Sequence, residues 1–261
     1  MARKKKVAVL LSAGSAKGFA HLGVLKALEE AKIPIDLIIG TSMGSLVGAC
    51  YSVVPDANYW IKKITEVSPF EIVSLKDFKL NPRGIITGSS LQHYIEKHLG
   101  ISTFKDTLIP LIINSADIIS NKSVKFTKGS IPDAVRASSG LPLIFDVVRQ
   151  KNKLLVDGFV IDPIGIKWLK GKYDLIIVVN VNTANDKIIT EKSNAFDILL
   201  RSIELMQREL VHEKIRCQKN IVLIEPDMKG LRYTDFHKAK EFVERGYAAG
   251  KKAIKQIKKY I

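Results

Sequence analysis

Aliphatic runs alternate with stretches of helical spacing along the whole chain. Val7–Leu11 is apolar throughout and predicts a strand. Phe19–Ala31, with Leu22, Leu25 and Leu28 on one stripe, predicts a helix. Ile35–Ile39, apolar apart from Asp36, predicts a second strand, and a helix of small residues follows over Ser45–Tyr51. Leu108–Ser115, Leu154–Val156, Leu175–Val181 and Ile221–Ile224 read as further strands. Most of these runs do not alternate with polar residues, which suits strands covered on both faces. Phe196, Leu199, Leu200, Ile203, Met206 and Leu210 predict one long helix with that face toward the core. A last helix runs from about Phe236 to the end. Phe242, Ala249, Ala253, Ile254 and Ile257 form its apolar face, and Lys251, Lys252, Lys255, Lys258 and Lys259 cover much of the rest. Val67–Gly88, with Pro69, Pro82, Gly84 and Gly88, is irregular and reads equally as a cap or as a long loop. With no repeat or composition break, the pattern predicts one doubly covered α/β domain over residues 1–261.

Composition narrows the function classes. Hydrophobic residues at 46% and charged residues at 26% exclude a disordered or fibrous chain. Forty-one Lys and Arg against 26 Asp and Glu leave a formal charge of +15, so anionic membrane surfaces and nucleic acids are the partners to weigh. No aromatic-rich basic motif points to nucleic acid specifically. Two cysteines, Cys50 and Cys217, make no disulfide framework and favour a reducing, cytoplasmic setting. No apolar run approaches the ~18 residues of a membrane span. Arg3-Lys4-Lys5-Lys6 before Val7–Leu11 mimics a signal peptide, but the five apolar residues fall short of the ~7–15 of an h-region. They read as a strand.

Three segments could carry chemistry. Gly40-Thr41-Ser42-Met43-Gly44 fits G-x-S-x-G, a turn that presents a serine nucleophile between a strand and a helix. The glycines Gly40 and Gly44 keep bulk away where strand and helix pack closely. The pattern alone is common; the strand-like run before it and the small-residue helix after it give it weight. Ala13-Gly14-Ser15-Ala16-Lys17-Gly18 joins the first strand to the first helix. It fits neither the P-loop nor the dinucleotide pattern, so main-chain N–H groups at a helix start suit an oxyanion better than a nucleotide. Val156-Asp157-Gly158 puts a carboxylate at a strand end, where an ordinary Asp-Gly turn is the simpler reading of the dipeptide alone. His21 lies just past the second segment, while His212 and His237 read as helix-surface residues. Nothing has metal-ligand spacing, and no metal or cofactor is expected.

Together, Leu11-Ser12-Ala13-Gly14-Ser15-Ala16-Lys17-Gly18-Phe19, Gly40–Gly44, Arg136-Ala137-Ser138-Ser139-Gly140-Leu141-Pro142 and Val156-Asp157-Gly158, in that order, resemble patatin-like phospholipases, best the small prokaryotic members. The resemblance implies a three-layer α/β/α sandwich with a mainly parallel sheet. It implies a lipid ester substrate, with phospholipid and lysophospholipid both open, and hydrolysis through an acyl-enzyme. Ser42 would be the nucleophile and Asp157 the general base, with the N–H groups of Gly14, Ser15 and Ala16 as oxyanion donors. The chain departs from the family pattern at Ala13 and Ser15, where it has glycines, and at Phe159, where it has Gly or Ala. The residues themselves leave two other readings open. One is an α/β-hydrolase with a Ser42, Asp157 and His212 or His237 triad. The other is a non-catalytic binder of anionic lipid. Peripheral membrane contact is compatible with all three, and the oligomeric state is not legible.

Overall fold

A computed structural model describes residues 3, 5–65, 89–142, 144–171, 173–183 and 193–261; the irregular Val67–Gly88 stretch lies outside the described residues. The chain forms a mixed α/β fold around an eight-stranded sheet. The strands are β1 (Val7–Leu11), β2 (Leu37–Thr41), β3 (Leu111–Asp117), β4 (Lys122–Phe126), β5 (Val148–Gln150), β6 (Lys153–Asp157), β7 (Leu175–Val179) and β8 (Ile221–Ile224). The helices used below are α1 (Ala20–Glu30), α2 (Met43–Val53), α3 (Ala57–Thr65), α4 (Ser89–His93), α5 (Ile131–Ser138), α6 (Ala195–Ile215) and α7 (Ala239–Ile257). Strands β1, β2, β3, β7 and β8 are parallel, and β4, β5 and β6 run antiparallel to their neighbours.

The expectation of strands buried on both faces holds. All five residues of β1 are buried. Val7, Val9 and Leu11 enter a large core with α1, α2, α3 and α7, while Ala8 and Leu10 enter a smaller core on the other face with Val211 of α6. Helix α7 buries Phe242 and Ile257, as its spacing predicts. Among the described residues no helix is long and apolar enough to cross a membrane.

Two expectations need correction. Strands β4 and β5 have no counterpart in the sequence reading. Each is short and carries exposed polar residues, Lys-Ser-Val-Lys-Phe and Val-Arg-Gln, so neither produces an apolar run. Helix α6 turns only part of its predicted face inward, with Leu200 and Ile203 on the cavity wall. Met206 is 65% exposed and Leu199 39% exposed, whereas Glu204, Gln207 and Val211 are buried. The buried stripe follows a polar need, because Glu204 and Gln207 meet polar partners beneath the helix, described below.

Sheet register decides where the functional segments meet. Strand β4 occupies one edge of β3, against Ile113–Asp117. The other edge is shared. Strand β2 covers it up to Thr41 opposite Asn114, and β6 takes over at the next rung, with Asp157 opposite Ser115. The two strands approach each other along one edge, so the chain must leave the sheet at Ser42 just where Asp157 arrives.

Candidate active site

Ser42 sits between β2 and α2 with φ 54° and ψ −126°, in the left-handed half of backbone space. Such a conformation costs a non-glycine residue on the order of 1–3 kcal/mol and persists where the surroundings over-determine it. Here they do. The Ser42 N–H donates to the Ser138 hydroxyl at 2.8 Å, and that hydroxyl donates to the Asn114 carbonyl at 2.6 Å. The Ser42 carbonyl accepts from the Ser45 hydroxyl at 2.6 Å and the Ser45 N–H at 2.8 Å. The elbow glycines are sterically required. A Cβ on Gly40 would stand 2.4 Å from the Gly44 carbonyl oxygen, and one on Gly44 would stand 2.4 Å from that of Leu11.

Asp157 is buried; its carboxyl accepts from the Phe159 N–H at 3.1 Å, and it lines the same cavity as Ser42, whose side chain is near enough to lower its pKa. Burial without a charged partner pushes its pKa from 3.8 up to about 7; the Ser42 side chain and the Phe159 N–H pull the other way and lose. Gly158 lets this turn pass close to β3, since a Cβ there would lie 2.6 Å from the Asn114 carbonyl oxygen. Asn114 is a hub that the sequence did not announce. Its amide donates to the Asp162 carbonyl at 2.8 Å and accepts from the Trp168 indole at 2.7 Å.

The turn after β1 completes the site. Ser15–Phe19 is a 3-10 turn leading into α1, and Ser15 has φ 47°. A serine therefore occupies the left-handed position that glycine would hold without strain. Ala13, Gly14 and Ser15 line the same cavity as Ser42 and Asp157. Ala16 does not, and its N–H donates to the Tyr233 carbonyl at 3.2 Å. The Ala16 N–H is thus engaged outside the cavity, unlike the N–H groups of Gly14 and Ser15, which stay with the cavity-lining turn. The N–H of Met43, in the first turn of α2, has no partner within its helix, and Met43 lines the cavity. Replacing Ser15 with glycine is expected to stabilise the fold by about 1 kcal/mol, as the left-handed penalty is removed. Any catalytic rate should change less than tenfold, because the donors are main-chain groups; thermal melts and ester kinetics on the same variant check both.

The cavity holds about 180 Å³ and is mostly apolar. Leu46, Leu91, Leu141, Ile144, Phe145, Phe159, Leu200, Ile203 and Phe236 form its walls. A second apolar recess shares Leu141, Ile144, Phe159, Leu200 and Ile203 and reaches Val160 and Leu199. No histidine lines this cavity among the described residues. His212 Nε2 is 3.1 Å from Glu225, and His237 lies in the turn before α7. His21 is fully buried with its Nε2 donating to the Ser12 carbonyl at 2.9 Å, and burial lowers its pKa to about 4. Among the described residues no cluster of His, Cys, Asp and Glu could hold a metal.

The family profile described as patatin-like phospholipase matches residues 9–168, which spans the turn after β1, the Ser42 elbow and Asp157. The chain belongs to the patatin-like phospholipase family. An uncharacterized NTE family protein of Mycobacterium bovis is 31% identical over 180 residues, 68% of this chain and 49% of that one. Lysophospholipase nte1 of Aspergillus fumigatus is 28% identical over 97% of this chain but only 18% of its own. The chain thus spans about half the length of the mycobacterial relative and under a fifth of the fungal one. Among solved structures, VipD from Legionella pneumophila matches with a TM-score of 0.53 at 14% identity, over 98% of this chain and 67% of that one. The type III effector protein ExoU matches at 0.51 and 13%, over 97% and 53%. These two likenesses concern the fold. They agree with the central sheet and flanking helices of this patatin-like protein.

Proposed function

We propose that this patatin-like protein hydrolyses carboxylic esters of lipids, with Ser42 as nucleophile and Asp157 as the base of a two-residue dyad. The observation that carries the reading is the buried Asp157 carboxyl and the strained Ser42 meeting at the wall of one apolar cavity, with the Ser42 side chain near enough to draw the carboxyl's pKa down against the effect of burial. The name of the fungal relative, a lysophospholipase, supports the substrate class.

The ionised carboxylate of Asp157 takes the Ser42 proton as Oγ attacks the ester carbonyl. The tetrahedral oxyanion is held by main-chain N–H groups of Gly14 and Ser15, with Met43 N–H as a third donor; one such donor is typically worth about 3–4 kcal/mol of barrier. Collapse expels the alcohol, which leaves with the proton from Asp157, and an acyl group remains on Ser42. Asp157 then takes a proton from water as the water attacks the acyl carbonyl, and the acid departs as Oγ recovers its proton. The apolar walls receive the acyl chain. Anionic lipid surfaces are part of this reading as a peripheral partner, on the strength of the +15 charge.

A fluorophosphonate probe should label the protein at Ser42 and leave a folded Ser42→Ala variant unlabelled. Labelling of that variant at another serine would count against Ser42 as the nucleophile, and no labelling of the wild type would count for a non-catalytic binder. The pH profile follows from Asp157. The base must be ionised, so kcat/KM for a neutral ester should climb with unit slope below pH about 7 and level off above it. A midpoint near pH 4 would mean that the carboxylate is solvated in the free enzyme.

A further inference from the structure

Beneath the oxyanion turn lies a buried charged group that the proposed chemistry does not use. Lys17, the third residue of the turn, is 1% exposed, and its Nζ donates to Glu204 Oε1 at 2.5 Å. Glu204, on α6, is also buried, and its other oxygen accepts from Arg201 at 2.7 Å. A buried ion pair of this kind is a weak source of stability, because desolvation consumes most of the Coulombic gain. Its value is better sought in the geometry it imposes.

That geometry is specific. The Lys17 N–H closes the turn on the Gly14 carbonyl at 3.0 Å, so the backbone that aims the Gly14 and Ser15 N–H groups is the backbone that Lys17 anchors. The same turn is held at two other points. Asn182 Nδ2 donates to the Ala13 carbonyl at 2.9 Å and to Gln207 Oε1 at 2.5 Å. Tyr233 accepts the Ala16 N–H on its carbonyl and donates its hydroxyl to Asn182 Oδ1 at 2.7 Å. Two of the anchors, Glu204 and Gln207, sit one turn apart on α6, beside Leu200 and Ile203 of the cavity wall. The strained Ser15 makes such anchoring necessary, since a left-handed serine released from its surroundings relaxes toward negative φ.

We infer that Glu204 is a positioning residue: through Lys17 it fixes the oxyanion turn to helix α6, so that the wall receiving the acyl chain and the turn receiving the developing charge move as one piece. The inference rests on the hydrolase reading above.

The sign of one substitution separates positioning from simple electrostatics. Lys17, Arg201 and Glu204 together carry one net positive charge. Glu204→Gln removes a negative charge near the oxyanion, so a purely electrostatic role would make turnover faster. Positioning makes it slower. In a folded Glu204→Gln variant, kcat should fall about 10- to 100-fold, the loss expected when a catalytic group is misplaced by an ångström or so. KM for a monomeric ester should stay within about twofold, the mark of an interaction realised only in the transition state. A long-chain trifluoromethyl ketone, which forms a tetrahedral adduct with the serine, should lose affinity by the same factor as kcat, while a non-reacting ether analogue should not. Glu204→Asp, which keeps the charge on a shorter arm, should recover part of the loss.

Lys17→Met/Glu204→Met, which replaces the pair by apolar groups, keeps the test sharp if the single change unfolds the protein. It should fold and show the same kcat defect. Wild-type kcat in either folded variant, a faster enzyme, or equal losses for both inhibitors would overturn the proposal, as would failure of both variants to fold, which marks the pair as structural. Wild-type turnover and its loss in Ser42→Ala are measured alongside, so failure of the hydrolase reading shows separately.

Discussion

Asp157→Asn is expected to lower ester turnover by about three to four orders of magnitude while making the protein harder to unfold at pH 8. Both effects have one cause. The carboxyl is buried without a cation, so its charged form is strained in the fold, and its pKa rises from 3.8 to about 7. A group with a raised folded pKa supports the fold fully only below its unfolded pKa. That support is lost as pH climbs from about 4 to about 7, and above 7 the folded state carries the whole cost of a desolvated carboxylate. At 1.36 kcal/mol per unit the ceiling is about 4 kcal/mol, and a gain of roughly 2–4 kcal/mol is expected for the neutral amide. Asparagine fits the site, since its Oδ1 can accept from Phe159 N–H and its Nδ2 can donate to Ser42. It cannot take a proton. Thermal melts at pH 5 and pH 8 should show the variant's advantage growing with pH, and a variant equally stable at both would mean that the native carboxyl is not strained. The triad alternative is tested on the same assay. His212→Ala and His237→Ala should keep most activity, because neither residue lines the cavity. A folded His variant as inactive as Asp157→Asn would reassign the base.

Gly44→Ala should fail in a different way, losing fold and function together. The added methyl would lie 2.4 Å from the Leu11 carbonyl oxygen and 2.6 Å from that of Ser12, both backbone atoms in the centre of the sheet. Neither can swing aside as a flexible side chain would. The first turn of α2 must lift from β1, at a cost of about 3 kcal/mol, or roughly 6–12 °C in Tm for a chain of this size. Ser12 is more than a neighbour. Its carbonyl accepts from His21, and its hydroxyl donates to the Ala13 carbonyl at 2.9 Å and accepts from the Val181 N–H at 3.1 Å. A shift there passes into the turn that begins at Ala13, so surviving folded protein should also turn over about 100-fold more slowly. Full activity with a wild-type melting curve would show that α2 does not pack on β1 as described.

The Ser42 segment was legible because it has a local cause, whereas Asp157 alone read as an ordinary turn. The Ser42 elbow requires glycine at two positions, and the strand before it is an unbroken apolar run. The pairing of Ser42 with Asp157 was not legible from composition or spacing, and only family resemblance supplied it. Its cause is register: β2 and β6 share one edge of β3 and meet between Asn114 and Ser115. A register between strands more than a hundred residues apart leaves no local pattern. Helix α6 misled for a related reason. Its apolar positions outnumber its buried ones, and the face it buries was chosen by Lys17 and Asn182, far away in sequence. The short strands β4 and β5 borrow their hydrogen-bonding partners from β3 and β6 and have little apolar character of their own.

Strand direction also sets one group of basic residues apart from the cavity. The cavity opens where the parallel strands end, whereas Arg3 and Lys5 reach Asp174 just before β7 begins, and Lys251 reaches Glu30 at the far end of α1. The lysines that follow on α7 continue in that direction. The length of a five-residue strand, about 16 Å, therefore separates the basic end from the mouth. An anionic bilayer held by the basic end would have the catalytic mouth turned away from it. On such a surface, capture and the proposed catalysis would be events on two different faces, and the tethered protein would act in trans on lipid delivered from solution or from an apposed membrane. Salt would release such a protein from its tether without slowing its turnover of monomeric esters.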